Sequence, residues 1–211
     1  MSNSSVFFHA IILGPPGVGK GTQCERLQKK VSYNHISTGD IIREEISKQS
    51  DIGKHVQSII ETGDLVPDDA VCKMVEAHLK GLSSKTSWML DGFPRTEAQA
   101  KFLKNSDIKV THVLELEGDE KEITARLSGR LLDPVTGDSY HLVNNPPPDG
   151  IKDRCIVRAD DKPEIIQNRF QQYREQADLI RSVFGSTIKI DCVGKSFDEV
   201  EVQVDKALGV K

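Results

Sequence analysis

The chain is poor in cysteine. Four residues, Cys24, Cys72, Cys155 and Cys192, are spread over 211 positions, and no Cys-x-x-Cys pair is among them. That spacing argues against a zinc knuckle and against a disulfide framework, and a reducing cytosol is the expected compartment, with the mitochondrial intermembrane space as the alternative. Long apolar runs are missing too: none approaches the ~20 residues a membrane span needs. Met1–Ser5 is too short and polar to read as a signal or transit peptide. Neither sign of charge dominates, with 28 basic against 32 acidic residues and a net charge of −4. Nucleic acid and anionic membrane therefore have no electrostatic claim as main partners. The six histidines form no metal-type pair, and no repeat or low-complexity tail interrupts the chain.

What is present is strand–helix alternation. Apolar runs at Val6–Leu13, Asn34–Ile36, Ser87–Leu90, Val110–Leu116 and Thr187–Asp191 read as buried strands. Between them apolar residues recur at helical spacing, as in Val71, Met74, Val75 and Leu79, or Phe170, Tyr173, Ala177 and Ile180. Pro67 with Asp68 and Asp69 opens one helix and Gly81 closes it, while Ser196/Glu199 and Asp161/Glu164 have capping-box spacing. The expected fold class is α/β, a five-stranded parallel sheet flanked by helices. Two stretches break the rhythm. Residues 37–66 place two helical patterns where one is expected. Residues 129–161 are rich in proline and glycine, with Tyr140–Val143 their one strand-like run.

Chemistry enters with "GPPGVGKGT", residues 14–22, after the first apolar run and before a helical pattern from Gln23 to Val31. Gly14-x4-Gly19-Lys20 is phosphate-loop spacing: backbone N–H groups wrap an anion, the helix end adds positive potential, and Lys20 reaches the terminal phosphates. The residue after Lys20 is Gly21, so the hydroxyl that commonly meets Mg²⁺ comes one place later, at Thr22. Asp91, closing the strand Trp88–Leu90, is placed to orient Mg²⁺ through water.

The loop alone leaves the phosphoryl acceptor open. No guanine-reading Asn-Lys-x-Asp occurs, and a motor or transport ATPase needs more chain. Five arginines narrow the choice. Arg95 follows Asp91; Arg126 and Arg130 stand four apart at a helix end, a spacing that puts them on one face; Arg158 edges the proline-rich insert; Arg169 lies in the next helix. Phosphoryl transfer asks a protein to align two reactants, neutralise charge and exclude water. Clustered arginines on inserts that close as lids meet that demand, and point to a small anionic acceptor.

In this order and spacing, "GPPGVGKGTQ" (14–23), "ISTGD" (36–40), "GDLVPDD" (63–69), "LDGFPRT" (90–96), "RLSGRL" (126–131), "YH" (140–141), "RADD" (158–161) and Arg169 closely resemble the adenylate kinase family of nucleoside monophosphate kinases over nearly the whole length. The resemblance implies a P-loop core of residues 1–36, 67–128 and 162–211, an AMP-binding insert at 37–66 and a lid at 129–161, both mobile. It implies MgATP + AMP ⇌ 2 ADP, with Lys20, Asp91, Arg95, Arg130, Arg158 and Arg169 as the catalytic set. ATP would meet Gly17, Val18, Gly19, Lys20, Gly21, Thr22, Arg126, Arg130, Ser139, Tyr140 and the backbone near Lys195. AMP would meet Thr38, Arg43, Asp64, Leu65, Val66, Gly92, Phe93, Pro94, Arg95, Gln99, Arg158 and Arg169. Mg²⁺ would ride on the nucleotide, held through water near Asp91 and Thr22, with no direct protein ligand. Partners would be ATP, AMP and ADP, and a monomer is expected.

The lid departs from the family pattern. Long-lid relatives carry four zinc ligands or a polar set that includes an Asp-Asp-x-Thr-Gly turn. Here "PPPDGIKDRCIV" (146–157) lacks that turn, and Asp133 and Thr136 keep only its first half. A lid without structural zinc, stiffened by the triple proline, is expected. "DDKPE" (160–164) is reminiscent of GTP-using relatives, whereas Arg158 favours ATP. A nucleotide-dependent binding switch, or a catalytically silent relative, is the reading from another class; the intact Lys20, Arg95 and Arg130 weigh against both.

Overall fold

A computed structural model describes residues 6–83 and 85–210; Met1–Ser5, read above as no leader, lie outside the described residues. Five strands form one parallel sheet: β1 (His9–Leu13), β2 (Asn34–Ser37), β3 (Trp88–Asp91), β4 (His112–Glu117) and β7 (Ile188–Asp191), in the order β2-β3-β1-β4-β7. Each matches a run picked out by its apolar residues, with ends shifted by at most three positions. The centre of the sheet is buried on both faces, which is why it reads as unbroken apolar sequence. In β1, Ala10 and Ile12 enter one core with Phe8, Leu114, Leu116 and Phe170. Ile11 and Leu13 enter the other with Ile36, Leu90 and Phe93. Each fully buried Ile or Leu here stabilises by about 1.5–3 kcal/mol relative to exposure.

Chain order reverses around β1, with β3 on one side and β4 on the other. In open parallel sheets that switch point opens a crevice at the carboxyl ends of the strands. The loop 14–19 leaves β1 there, and Asp91 ends β3 there.

Helices cover both faces. The first, α1 (Lys20–Gln28), begins earlier than its apolar spacing predicts, directly at the phosphate loop. It is fastened to α9 (Phe197–Leu208) by a ladder in which Arg26 pairs with Asp198 and Glu201, and Lys30 with Glu201 and Asp205. The Ser196/Glu199 capping box forms as its spacing predicts. Pro67 and Gly81 bracket α4 (Asp68–Lys80), followed by α5 (Glu97–Asn105) and α6 (Glu120–Leu127).

The Asp161/Glu164 box does not form. The long helix α8 (Pro163–Phe184) is preceded by Lys162 without a side-chain cap, and Pro163 opens it, removing an N–H that would otherwise need a partner. Asp161 is instead buried in a 3₁₀ turn, Ala159–Asp161, with its carboxylate committed to arginines.

The two irregular stretches are both ordered. Residues 37–66 hold α2 (Thr38–Ser47) and α3 (Asp51–Glu61), capped by Ser37 and Ser50. The helices approach so closely that a Cβ on Gly53 would stand 2.1 Å from the Glu45 carbonyl. In the second stretch β5 (Arg130–Leu132) pairs antiparallel with β6 (Ser139–His141), and α7 (Asp149–Lys152) follows the triple proline. Pro147 is buried, but the centre of this lobe is a carboxylate. Asp133, fully buried, accepts from Arg154 Nε at 2.9 Å and Nη2 at 2.5 Å, from the Val135 N–H and from the Thr136 hydroxyl. The forked Arg154 bond, with these donors, holds the Asp133 carboxyl down at about 2. An ion pair with its own donors thus lies at the centre of the lobe for which the triple proline was the expected stiffener. Among the described residues no helix is long and apolar enough to cross a membrane.

Candidate active site

One cavity of about 1100 Å³ opens at the switch point, large beside the ~300–1,000 Å³ usual for a single ligand. The phosphate loop forms its floor. Gly14 sits at φ 142°, and a Cβ there would lie 2.6 Å from the Leu116 carbonyl, so only glycine lets β1 turn this tightly against β4. Lys20 folds back over the loop and donates to the carbonyls of Gly14 and Pro15, both at 2.8 Å. Burial lowers its ammonium to about 8; Asp91 opposes the fall, and Arg95, Arg169 and Arg130 add to it. An anion arriving at the loop would thus meet a poorly solvated cation, which gains from a negative partner.

Around this floor stand the arginines. Arg130 grips Asp161 with Nε at 2.7 Å and Nη2 at 2.5 Å. Arg169 Nη1 reaches the Asp160 carboxylate at 3.0 Å and Asp161 at 3.2 Å. Arg158 donates to the Ser139 hydroxyl, and its Nε is buried without a partner among the described residues. Burial, with Arg130 and Arg43 adding, pushes Arg158 down to about 9. Burial and Arg169 bring Arg95 to about 10. So many cations crowded out of water want multiply charged anions.

Arg126 and Arg130 do not share a helix face. Helix α6 ends at Leu127, so Arg130 starts β5 and turns to Asp161. Arg126 instead lies 5.2 Å over the ring of Phe197 and donates to the Val18 carbonyl. That stack presents a flat cationic–aromatic surface to the cavity beside the loop, suited to a planar ring.

On the opposite side Arg95 and Gly92 line the cavity with Pro94, Arg43 and Leu65. Arg95 Nε donates to the Gly92 carbonyl at 2.8 Å, and its backbone N–H to Gln99 Oε1 at 2.7 Å. Gln99, buried, passes its amide on to Asp68 at 2.8 Å. Thr38, also buried, donates to the Gly92 carbonyl at 2.8 Å. Asp91 lines the cavity beside Gly21 and Thr22, where its carboxylate and the Thr22 side chain supply the hard oxygen donors a hydrated Mg²⁺ favours.

Of the residues picked out from sequence, Gly17, Gly19, Lys20, Gly21, Thr22, Arg43, Leu65, Asp91, Gly92, Pro94, Arg95, Arg126, Arg130, Ser139, Tyr140, Arg158 and Arg169 share this cavity wall. Others are turned elsewhere. Val18, Val66 and Phe93 are packed into the cores. Asp64 is latched to α8, accepting from Asn168 and Gln172 at 3.0 and 2.9 Å as well as from Thr62. Lys195 pairs with Asp191. Sequence reasoning missed Phe197, Asp161 and His35. An aromatic right after a helix cap near Lys195 is a faint signal for the first; Asp161 was visible but read as a cap. His35, read as ordinary, stands 3.3 Å from Asp91.

Comparison with known proteins points to one family. The "Adenylate kinase" family model matches residues 12–188. The adenylate kinase of Giardia intestinalis is 43% identical over 205 residues, 96% of this chain and 82% of its own. That of Chloroherpeton thalassium is 38% identical over 213 residues, covering 94% and 96%. That of Talaromyces marneffei is 37% identical over 190 residues, covering 85% and 70%.

Proposed function

The chain belongs to the adenylate kinase family and is a nucleoside monophosphate kinase, a phosphotransferase, and from that premise we propose that it catalyses MgATP + AMP ⇌ 2 ADP. The observation that carries this reading is the convergence of Lys20 with Arg43, Arg95, Arg126, Arg130, Arg158 and Arg169 on one cavity with room for two nucleotides.

The donor binds on the loop side. Backbone N–H groups of residues 17–22 wrap its phosphates, Lys20 leaves the loop carbonyls for them, and its base stacks on the Arg126–Phe197 surface, with Ser139 and Tyr140 above. The acceptor binds opposite. Arg95 and Arg43 take its phosphate, while Thr38 and Gln99, both anchored around Gly92, Arg95 and Asp68, shape the base pocket. Arg130, Arg158 and Arg169 face the moving phosphoryl. Asp91 and Thr22 would hold the Mg²⁺ carried by the donor, and that ion would supply neutralisation of phosphate charge. Residues 37–66 and 129–161 close over the two ligands and keep water out, which favours AMP over hydrolysis. The protein works as a monomer in a reducing cytosol.

The test is diphosphate formation from ATP or GTP, each alone and with AMP, UMP, CMP or GMP, in the presence of Mg²⁺. Fast ADP formation that needs both ATP and AMP supports the assignment. A preference for GTP corrects the donor. Slow hydrolysis indifferent to every acceptor overturns the reading.

A further inference from the structure

Three side chains from separate elements meet beside the phosphate loop, and phosphoryl transfer uses only one of them. They are Cys24 on α1, His35 on β2 and Asp91 at the end of β3. Their donor atoms, Sγ, an imidazole nitrogen and a carboxylate oxygen, all lie within 4.8 Å of one another. His35 Nε2 is already 3.3 Å from Asp91 Oδ2, and both side chains are mostly buried, 14% and 12% exposed. Cys24 is fully buried, and its thiol has only a weak acceptor, Met89 Sδ at 3.4 Å.

We propose that Cys24, His35 and Asp91 form a binding site for a thiophilic divalent cation, Zn²⁺ foremost, and that filling it inhibits phosphoryl transfer by withdrawing Asp91. With metal–ligand bonds of ~2.0–2.3 Å, ligand atoms of a tetrahedral site stand about 3.3–3.7 Å apart. The His35–Asp91 pair meets that spacing, and Cys24 needs a shift on the order of 1 Å. His35 and Asp91 border the main cavity, so a metal can enter and hold water in its fourth position. Binding replaces the Cys24 S–H with an S–metal bond and releases one proton to solvent. Thiolate and carboxylate together then balance the charge of the ion. Glu25, close enough to His35 to feel its charge, adds a further anionic neighbour, while Lys20, close to both Asp91 and Cys24, opposes the metal. Sulfur and imidazole donors select Zn²⁺ or Cd²⁺ and reject Mg²⁺, so the site is chemically separate from the nucleotide's own cation.

The binding half stands on geometry alone; the inhibitory half rests on the phosphotransferase reading. The first experiment titrates the full-length protein with Co²⁺, reading the thiolate-to-cobalt charge-transfer band and the visible bands of tetrahedral Co²⁺, then displaces the ion with Zn²⁺. One equivalent is expected to bind. Cys24→Ser should abolish the charge-transfer band and His35→Gln weaken affinity at least tenfold, while Cys155→Ser changes nothing. A missing band, or one that survives in Cys24→Ser, overturns the site. The second experiment adds Zn²⁺ to the ATP–AMP assay with MgATP in excess. Cys24→Ser should keep metal-free turnover and raise the half-inhibiting Zn²⁺ concentration at least tenfold. Equal inhibition of wild type and Cys24→Ser overturns the regulatory half. Should no transfer occur even without metal, the functional reading fails, and the cobalt band still decides the site.

Discussion

Arg130 and Asp161, 31 residues apart in sequence, are joined by a two-pronged ion pair in which Nε and Nη2 of the guanidinium meet a fully buried carboxylate. The same carboxylate also accepts from Arg169. One aspartate thus sets the position of two arginines assigned here to the transferring phosphoryl. Asp161→Asn keeps the shape and removes the charge. We expect turnover to fall about 10–100-fold, as small misplacements of aligned groups do, with the KM for either nucleotide little changed and the protein still folded. Steady-state kinetics beside circular dichroism check this; unchanged kcat would show that the arginines hold position without it.

Arg130→Ala removes the positioned charge itself. An arginine on the moving phosphoryl is worth roughly 10³–10⁵ in rate, so turnover should drop by orders of magnitude while nucleotide binding, followed by calorimetry, persists. Near-normal turnover would take Arg130 out of the catalytic set.

Lys20 makes the free enzyme sensitive to alkali. Its ammonium sits at about 8, against an ordinary 10.5. Above pH 8 the free protein loses the charge that would greet the donor phosphates, so kcat/KM for the donor should decline from there. The maximal rate should hold to higher pH, because bound phosphate favours the protonated amine. The stability effect runs the other way: between about pH 8 and 10.5 the unfolded chain holds the extra proton, so stability rises with pH in that window. A pH profile of kcat/KM that is flat to pH 10 would contradict the depressed value.

For the lobe 129–161 the sensitive range is acid. Asp133, held at about 2 by Arg154, lies below the ordinary ~3.9 of an unfolded chain. Its contribution is fully present above about pH 4 and disappears as pH falls from 4 toward 2. Hydrogen exchange of amides in β5 and β6 should therefore stay slow down to pH 4 and accelerate below it. In Arg154→Met the same amides should exchange faster at neutral pH already. Identical exchange in the variant would mean that the fork does not organise the lobe.

Phe197 under Arg126 carries a prediction about the donor alone. Phe197→Ala removes the ring that supports Arg126, and loss of that stack, about 0.5–1 kcal/mol, should raise the donor KM about 2–5-fold. The AMP KM should not move. A change confined to AMP would reverse the assignment of the two sides.

These residues also show what a sequence exposes. The sheet was legible because strands buried on both faces must be apolar throughout, as in Ile11–Leu13 and Trp88–Leu90. Lys20 and the arginines were picked out by loop spacing and by clustering around the inserts, and they do share one cavity wall. Asp161 was misread because its spacing to Glu164 fits a cap, whereas its real partners come from Arg130 and Arg169 on other elements. The fork of Asp133 and Arg154, 21 residues apart, follows from the path of the chain between them, which no periodicity encodes. The meeting of Cys24 with His35 and Asp91 is hidden for the same reason: three elements carry one ligand atom each.

The ladder between α1 and α9 has a consequence for how the protein is made. Arg26 and Lys30, on the helix that the phosphate loop opens, find their acidic partners 172 and 175 residues later. β7, which pairs with β4, arrives almost as late. On the ribosome, the first nucleotide-binding segment to emerge must therefore wait for nearly the whole chain before its helix is clamped. Loop closure over such distances slows folding, and until it happens the apolar face of α1 is exposed to chaperones and to neighbouring nascent chains. A messenger truncated just before Phe197 would yield a protein whose phosphate loop still leaves a paired β1 but whose first helix has lost its clamp.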